Sequence, residues 1–216
     1  MKITKLASQK KDPSRVSMFL DNQFFCGISL DIVAKYSLYV GKEIADLESE
    51  NIFKDEIQNR FLSRSVDYIA RGPKTQFQVK KYLRELSLKQ KGKWYSDISK
   101  EKLEDTIEYV LRKLNEYGYI DDGNFALLFV QSRIKNKPRG KAILISELLS
   151  KGVSRDIAEE KVNELVEDEY SMLKKVYEKK FKQEKITFED RKKIDFLLRK
   201  GFNWDLIEQF INEFTD

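Results

Sequence analysis

The chain has 216 residues, 41% apolar and 36% charged, with 41 basic against 36 acidic side chains and a net charge of +5. That apolar share is enough for a packed core, so disorder is not the default reading despite the charge. Histidine is absent, which excludes Ser-His-Asp, Cys-His and His-metal sites, and the single Cys26 excludes an intrachain disulfide and a CxxC zinc site.

No stretch approaches 18 apolar residues, and 1–11 lacks the apolar core of a signal peptide. The expectation is a soluble cytoplasmic protein that is not an enzyme, with no cofactor, no metal and no membrane association.

Residues 1–45 are predicted to form a small N-terminal segment of β-hairpin and helix. The runs 2–10 and 16–20 are β-type, with Asp12-Pro13 as a turn signal between them, and Asp21-Asn22 turns the chain into Phe24-Phe25-Cys26. Ser29 is placed to N-cap a short helix through Tyr36, and Tyr39-Val40 before Gly41 resembles another brief strand.

From about Asp46 onward the sequence reads as nearly all helix, beginning with a connecting helix over 46–60. Arg71-Gly72-Pro73-Lys74-Thr75 echoes the tail of a phosphate-binding loop, but the earlier glycine and preceding strand are missing. Gly72 and Pro73 therefore read as the end of one helix and the start of the next. An inserted loop is expected over 87–98. Its Trp94 and Tyr95, beside Lys89, Lys91 and Lys93, either pack in the core or stack on bases or a protein surface. Leu103, Ile107, Val110, Leu111 and Leu114 make a helical stripe that Gly118 ends. Asp121 or Asp122 then caps a helix with Phe125, Ala126, Phe129 and Val130 on one face. Capping accounts for these two carboxylates better than a nuclease Mg²⁺ site does. Lys137-Pro138 ends this helix, and Pro138 suits the first position of the next.

The segments 147–165 and 196–214 are one pattern written twice, 49 residues apart. Leu148, Leu149, Lys151, Gly152, Asp156, Glu159, Asn163 and Glu164 recur as Leu197, Leu198, Lys200, Gly201, Asp205, Glu208, Asn212 and Glu213. Gly152 and Gly201 end the middle helices of two repeats, and Ser154 and Asn203 cap the helices that follow. The fold expected is mainly α: tandem three-helix repeats over 61–118, 121–168 and 169–214, stacked into an array. Helix, glycine turn and helix over 197–214 is also the plan of a helix-turn-helix reader. Its would-be recognition helix, however, carries Asp205, Glu208 and Glu213 and no basic residue.

Charge alternates in register with the repeats. Segment 71–93 is net +7, 101–124 is −4, 131–151 is +5, 156–171 is −6, 174–200 is +6 and 205–216 is −4. Stacking would gather the basic segments on one side, the footprint of a polyanion and most simply of a nucleic-acid backbone. The first candidates for contact are Arg133, Lys135, Lys137, Arg139 and Lys141, at a helix junction marked by Pro138 and Gly140. Lys74, Lys80, Lys81, Lys174, Lys175, Lys192 and Lys193 follow. Charge runs are also commonly solvated faces that pair internally.

At these residues the chain resembles the RecX family, regulators of the bacterial RecA recombinase. The likeness lies in Ala70 to Thr75, in Gly118-Tyr119-Ile120-Asp121-Asp122-Gly123-Asn124-Phe125-Ala126, and in Ser132-Arg133 before Pro138-Arg139-Gly140. Leu148 to Val153 and Leu198 to Phe202 complete it. The resemblance implies tandem three-helix repeats forming a curved, elongated array that docks in the groove of the RecA–DNA filament across neighbouring protomers, with inhibition of strand exchange, filament growth and RecA's ATP hydrolysis. It implies direct affinity for single- and double-stranded DNA, a role in DNA repair, homologous recombination and the SOS response, and action as a monomer. The rival readings are a sequence-specific transcription regulator, a general DNA-binding repeat protein, a nuclease using Asp121 and Asp122, and a protein-only scaffold.

Overall fold

The computed structural model describes residues 1–10, 12–94 and 98–213; Tyr95, singled out above, and position 214, the end of the third predicted repeat, lie outside the described residues. The chain divides into two compact units, Met1–Gly72 with Val79–Tyr119, and Pro73–Gln78 with Ile120–Asp216. Among the described residues, no helix is long and apolar enough to cross a membrane.

The first unit opens with strands β1 (Ile3–Gln9), β2 (Asp12–Leu20) and β3 (Gln23–Ser29), an antiparallel sheet in the order β1-β2-β3. Asp21 and Asn22 form the two-residue turn expected of them. Both have positive φ, +47° and +70°, which matches the twist of the flanking strands. Asp12-Pro13 is not a turn. Asp12 already pairs with Gln9 and belongs to β2. Pro13 lies ahead of Arg15, where pairing with β3 begins, so its missing N–H leaves the β2–β3 ladder intact. Nor is Tyr39-Val40 a strand; the bridge nearby joins Lys2 to Glu43.

One sheet face supplies Ile3, Met18, Leu20, Cys26 and Ile28 to a core shared with Ile32 of α1 (Leu30–Lys35) and Ile52 of α2 (Asp46–Ile69). Ser29 caps α1, its hydroxyl accepting from the Ile32 N–H at 3.3 Å. Glu56 of α2, 1% exposed, fastens the helix to the sheet. Its carboxylate accepts from Arg15, from Arg60 Nε at 2.5 Å and from the Ser29 N–H at 2.9 Å. Both arginines also donate to the Gly27 carbonyl. Burial pushes the neighbouring Cys26 thiol up to about 12, with the Glu56 charge as a second cause. The thiolate is the form that attacks an electrophile such as a maleimide, so native Cys26 should label at least about a hundredfold more slowly at pH 8 than the urea-unfolded chain. Comparable rates in a maleimide assay would mean that the sheet opens readily.

The connecting helix continues without a break into the repeat, since α2 runs to Ile69. α3 (Gln76–Gln90) absorbs Ser87 to Gln90, so the inserted loop is shorter than 87–98. Trp94 packs: its ring lies 6.1 Å from that of Phe61, with the Arg60 guanidinium 5.2 Å over it. Helix α4 (Lys100–Glu116) buries Ile107, Val110, Leu111 and Leu114 as its stripe predicts.

The second unit holds α5 (Asp122–Asn136), α6 (Lys141–Ser150), α7 (Arg155–Leu165), α8 (Glu169–Phe181), α9 (Arg191–Arg199) and α10 (Trp204–Asn212). Asp121, Ser154, Asp168 and Asn203 cap α5, α7, α8 and α10, each side chain accepting from a backbone N–H three residues on. Gly152 and Gly201 end α6 and α9 at φ +84° and +91°, with the Val153 and Phe202 N–H groups donating back to Leu148 and Leu197. The repeated positions share one core: Leu148 with Leu197, Val153 with Phe202, and Val162 with Ile211.

One junction is built twice inside this unit. The Thr75 hydroxyl donates to the Lys151 carbonyl at 2.7 Å, and the Gln76 N–H donates to Asp122 at 2.9 Å. Gly140 N–H donates to the Lys200 carbonyl at 2.8 Å, and the Lys141 N–H donates to Glu169 at 2.7 Å. Each time the start of one middle helix (α3, α6) is satisfied by a glycine-turn lysine and by the first residue of another helix (α5, α8). Pro138 therefore does not begin α6. The engagement of Gly140 keeps the preceding chain extended, and the helix starts at Lys141.

Candidate nucleic-acid interface

Phe129 to Asn136 is the last half of α5, and Pro138 forbids its continuation. The chain then crosses to α6 at Gly140, where an added Cβ would stand 2.2 Å from the Gly201 carbonyl oxygen. This backbone contact brings the linker alongside Lys200, the C-cap of α9. On α8, Val176 is buried while Lys179 and Lys180, three and four residues on, rise from the same face.

The result is a cleft of about 280 Å³ with Pro138, Val176 and Phe196 among its apolar walls. Lys137, Arg139, Lys179, Lys180 and Lys200 line it, and among the described residues no carboxylate does. Lys180 Nζ lies 4.1 Å from the Phe196 ring centroid and Lys200 Nζ 5.4 Å from it. Burial holds the Lys200 ammonium below the ordinary lysine range, and the charges of Arg139, Lys180 and Lys179 lower it further. Crowded like charges are unfavourable until an anion enters.

The other basic candidates divide by their partners. Arg133 pairs with Glu147 of α6 at 2.8 Å and covers the Phe129 ring at 4.8 Å. Arg139 approaches the same carboxylate at 3.6 Å, and its buried Nε finds no hydrogen-bond acceptor among the described residues. Lys141 Nζ donates to Asn163 at 3.1 Å. Lys174 pairs with Glu213 at 2.6 Å, and Lys193 with Glu184 at 3.3 Å and Asp190 at 3.9 Å. In the first unit Lys80 pairs with Glu108. Lys74 is half-buried, while Lys81, Lys135, Lys175 and Lys192 are exposed.

Lys179, Lys180 and Lys200 were not among the candidates read from sequence. Segment 174–200 has eleven cations and five acids, and nothing in the sequence says which five it neutralises. One signal was available: Lys200 is the repeat partner of Lys151, whose ammonium lies 5.3 Å over Phe129.

The carboxylates of the nuclease reading are occupied by capping. Asp121 accepts from the Asn124 N–H and Asp122 from the Gln76 N–H, both at 2.9 Å. Burial raises Asp122 above the ordinary carboxyl range, opposed by the Gln76 hydrogen bond and abetted by Asp121.

Three family profiles match the chain: Regulatory protein RecX N-terminal domain at 1–45, RecX second three-helix domain at 121–161, and RecX third three-helix domain at 167–211. Regulatory protein RecX of Clostridium tetani is 31% identical over 98% of this chain and 94% of its own length. That of Bacillus subtilis is 29% identical over 98% and 76%. A crystal structure of regulatory protein RecX superposes with a TM-score of 0.71 at 23% identity, covering 98% of both chains. RecX from Lactobacillus salivarius gives 0.58 at 22%, covering 73% of this chain and 96% of that one. The likeness to these structures is one of fold, mainly helical with tandem three-helix domains.

Proposed function

We propose a function from one premise: the chain belongs to the RecX family. It is a regulator, and its partner on this reading is the RecA filament on DNA. It binds the filament and DNA through basic residues and inhibits strand exchange and ATP hydrolysis by RecA. Catalysis resides in the recombinase, and the chain acts by holding neighbouring protomers in a geometry unfit for exchange.

The observation that supports this most is the cleft of the second unit, which four lysines line beside Arg139, itself 3.6 Å from Glu147. Ion pairs between repeats would neutralise a merely solvated face. Here Lys137, Lys179, Lys180 and Lys200 make no ion pair among the described residues. A nucleic-acid backbone supplies the missing charge, and it does so without reading sequence.

The test is fluorescence anisotropy on single-stranded DNA, bare and coated with RecA and a slowly hydrolysed ATP analogue, across a salt series. RecA's ATPase is followed in parallel with ATP. Tighter binding to the coated strand with falling ATPase is expected. Equal or weaker binding to coated strands, with ATPase unchanged, would reduce the protein to a general DNA-binding repeat. Discrimination among unrelated duplex sequences would favour a transcription regulator instead.

A further inference from the structure

We infer that the cleft between the α5–α6 linker, α8 and α9 is a seat for phosphate groups that is blind to the bases attached to them. This deepens the function proposed above and rests on it, by naming the place and the chemistry of the contact.

The argument begins with shape. The cleft is concave, and Lys137, Lys179, Lys180, Lys200 and Arg139 all line the one volume, with the Lys180 and Lys200 ammonium groups against its Phe196 wall and Arg139 Nε 3.6 Å from Glu147. A flat basic surface attracts counterions diffusely; a concave one focuses them. Its backbone is also fixed in advance. Gly140 is hydrogen-bonded to Lys200 and in van der Waals contact with Gly201, so the two cation-bearing segments cannot separate. Arg139 adds a buried Nε with no acceptor among the described residues.

Blindness to the base follows from Phe196. It is the aromatic wall of the cleft, and Lys180 and Lys200 already lie against its ring at 4.1 and 5.4 Å. A base cannot stack on a ring face that ammonium groups occupy. What remains to an incoming strand is its phosphates.

The chemistry is shared by a nucleic-acid backbone and by free polyphosphate, and the experiment separates them. Full-length wild type, the pair Lys179→Gln/Lys180→Gln, Lys200→Gln and the off-cleft control Lys5→Gln/Lys10→Gln are compared. All exchange exposed or half-exposed side chains, and circular dichroism and thermal melting confirm equal folding. Oligo(dT) and oligo(dA) of one length are titrated by anisotropy over salt, and pyrophosphate by calorimetry. The cleft pair is expected to lose about tenfold in affinity for both oligomers by the same factor. Its salt slope should fall by about 1.4, at about 0.7 per lost contact on a single strand. The control, with the same change in net charge, should lose less than about twofold.

Equal losses in the cleft pair and the control would overturn the cleft while leaving DNA binding by the basic surface in place. A preference between dT and dA that the cleft variants alter would overturn base-blindness. Pyrophosphate binding that Lys200→Gln abolishes, with no oligonucleotide binding, would uphold the phosphate seat, assign it to a free polyphosphate and remove the nucleic-acid reading. Binding of neither probe by wild type would overturn both.

Discussion

Glu56→Ala should destabilise the first unit by about 3–5 kcal/mol, the effect expected when one partner of a buried ion pair is removed. Its carboxylate is 1% exposed, and the Arg15 and Arg60 side chains that surround it are 19% and 15% exposed. Alanine leaves two guanidinium groups largely out of water with only the Gly27 carbonyl to share. It also leaves the Ser29 N–H without its acceptor at the point where β3 hands over to α1. Glu56→Gln keeps the shape and one acceptor, so a smaller loss is expected. The measurement is urea unfolding followed through Trp94 in a Trp204→Phe background. Trp94 and Trp204 are the chain's two tryptophans and fall in different units. Trp94 is also a sensitive reporter because Arg60, a Glu56 partner, lies over its ring. A midpoint shift worth under about 1 kcal/mol would show that water reaches the arginines in place of the carboxylate.

Gly140→Ala should cost the second unit about 3 kcal/mol, near the top of what overpacking usually does. The backbone at Gly140 is ordinary for any residue, at φ −63°, so conformational strain is not the cause. The obstacle is three backbone atoms of Gly201 and Phe202, at 2.2, 2.4 and 2.7 Å from the new methyl carbon, and backbone cannot rotate aside. Gly118→Ala is the contrast. There φ is +69° but nothing lies within 4 Å of the added carbon, so only the left-handed penalty of about 1–2 kcal/mol applies. Unfolding followed through Trp204 in a Trp94→Phe background measures the Gly140 effect. Should Gly140→Ala prove milder than Gly118→Ala, the close approach of the two turns would not exist in solution.

Local chemistry made much of the fold readable before any coordinates. Asp21-Asn22, Ser29, Asp121, Ser154 and Asn203 each act through backbone groups within a few residues, so their roles are written beside them. The stripe on α4 and the doubled Leu-Leu-x-Lys-Gly signal depend on periodicity alone. What escaped depends on residues far away in sequence. Pro138 fits a helix start by every local rule, yet Lys200, sixty-two residues on, holds Gly140 extended and moves the start to Lys141. The candidate site is legible in the sequence as a charge pattern, but not as a set of residues. Lys174 is neutralised by Glu213, and Lys179 and Lys180, a turn further along α8, face a cleft that no carboxylate among the described residues lines. Ion pairing decides which cations stay available, and pairing is a property of the folded chain.

The junction built twice also carries an order of events. The Thr75 hydroxyl takes its acceptor from a residue 76 positions later, and Gly140 from one 60 positions later. On the ribosome, the start of α6 stays unsatisfied until Lys200 has been added and has emerged. Each middle helix is thus finished by chain that is synthesised after it. A nascent chain stalled before the α9 turn would display the α5–α6 linker without the segment that seats it, and would present that length of backbone to chaperones and proteases.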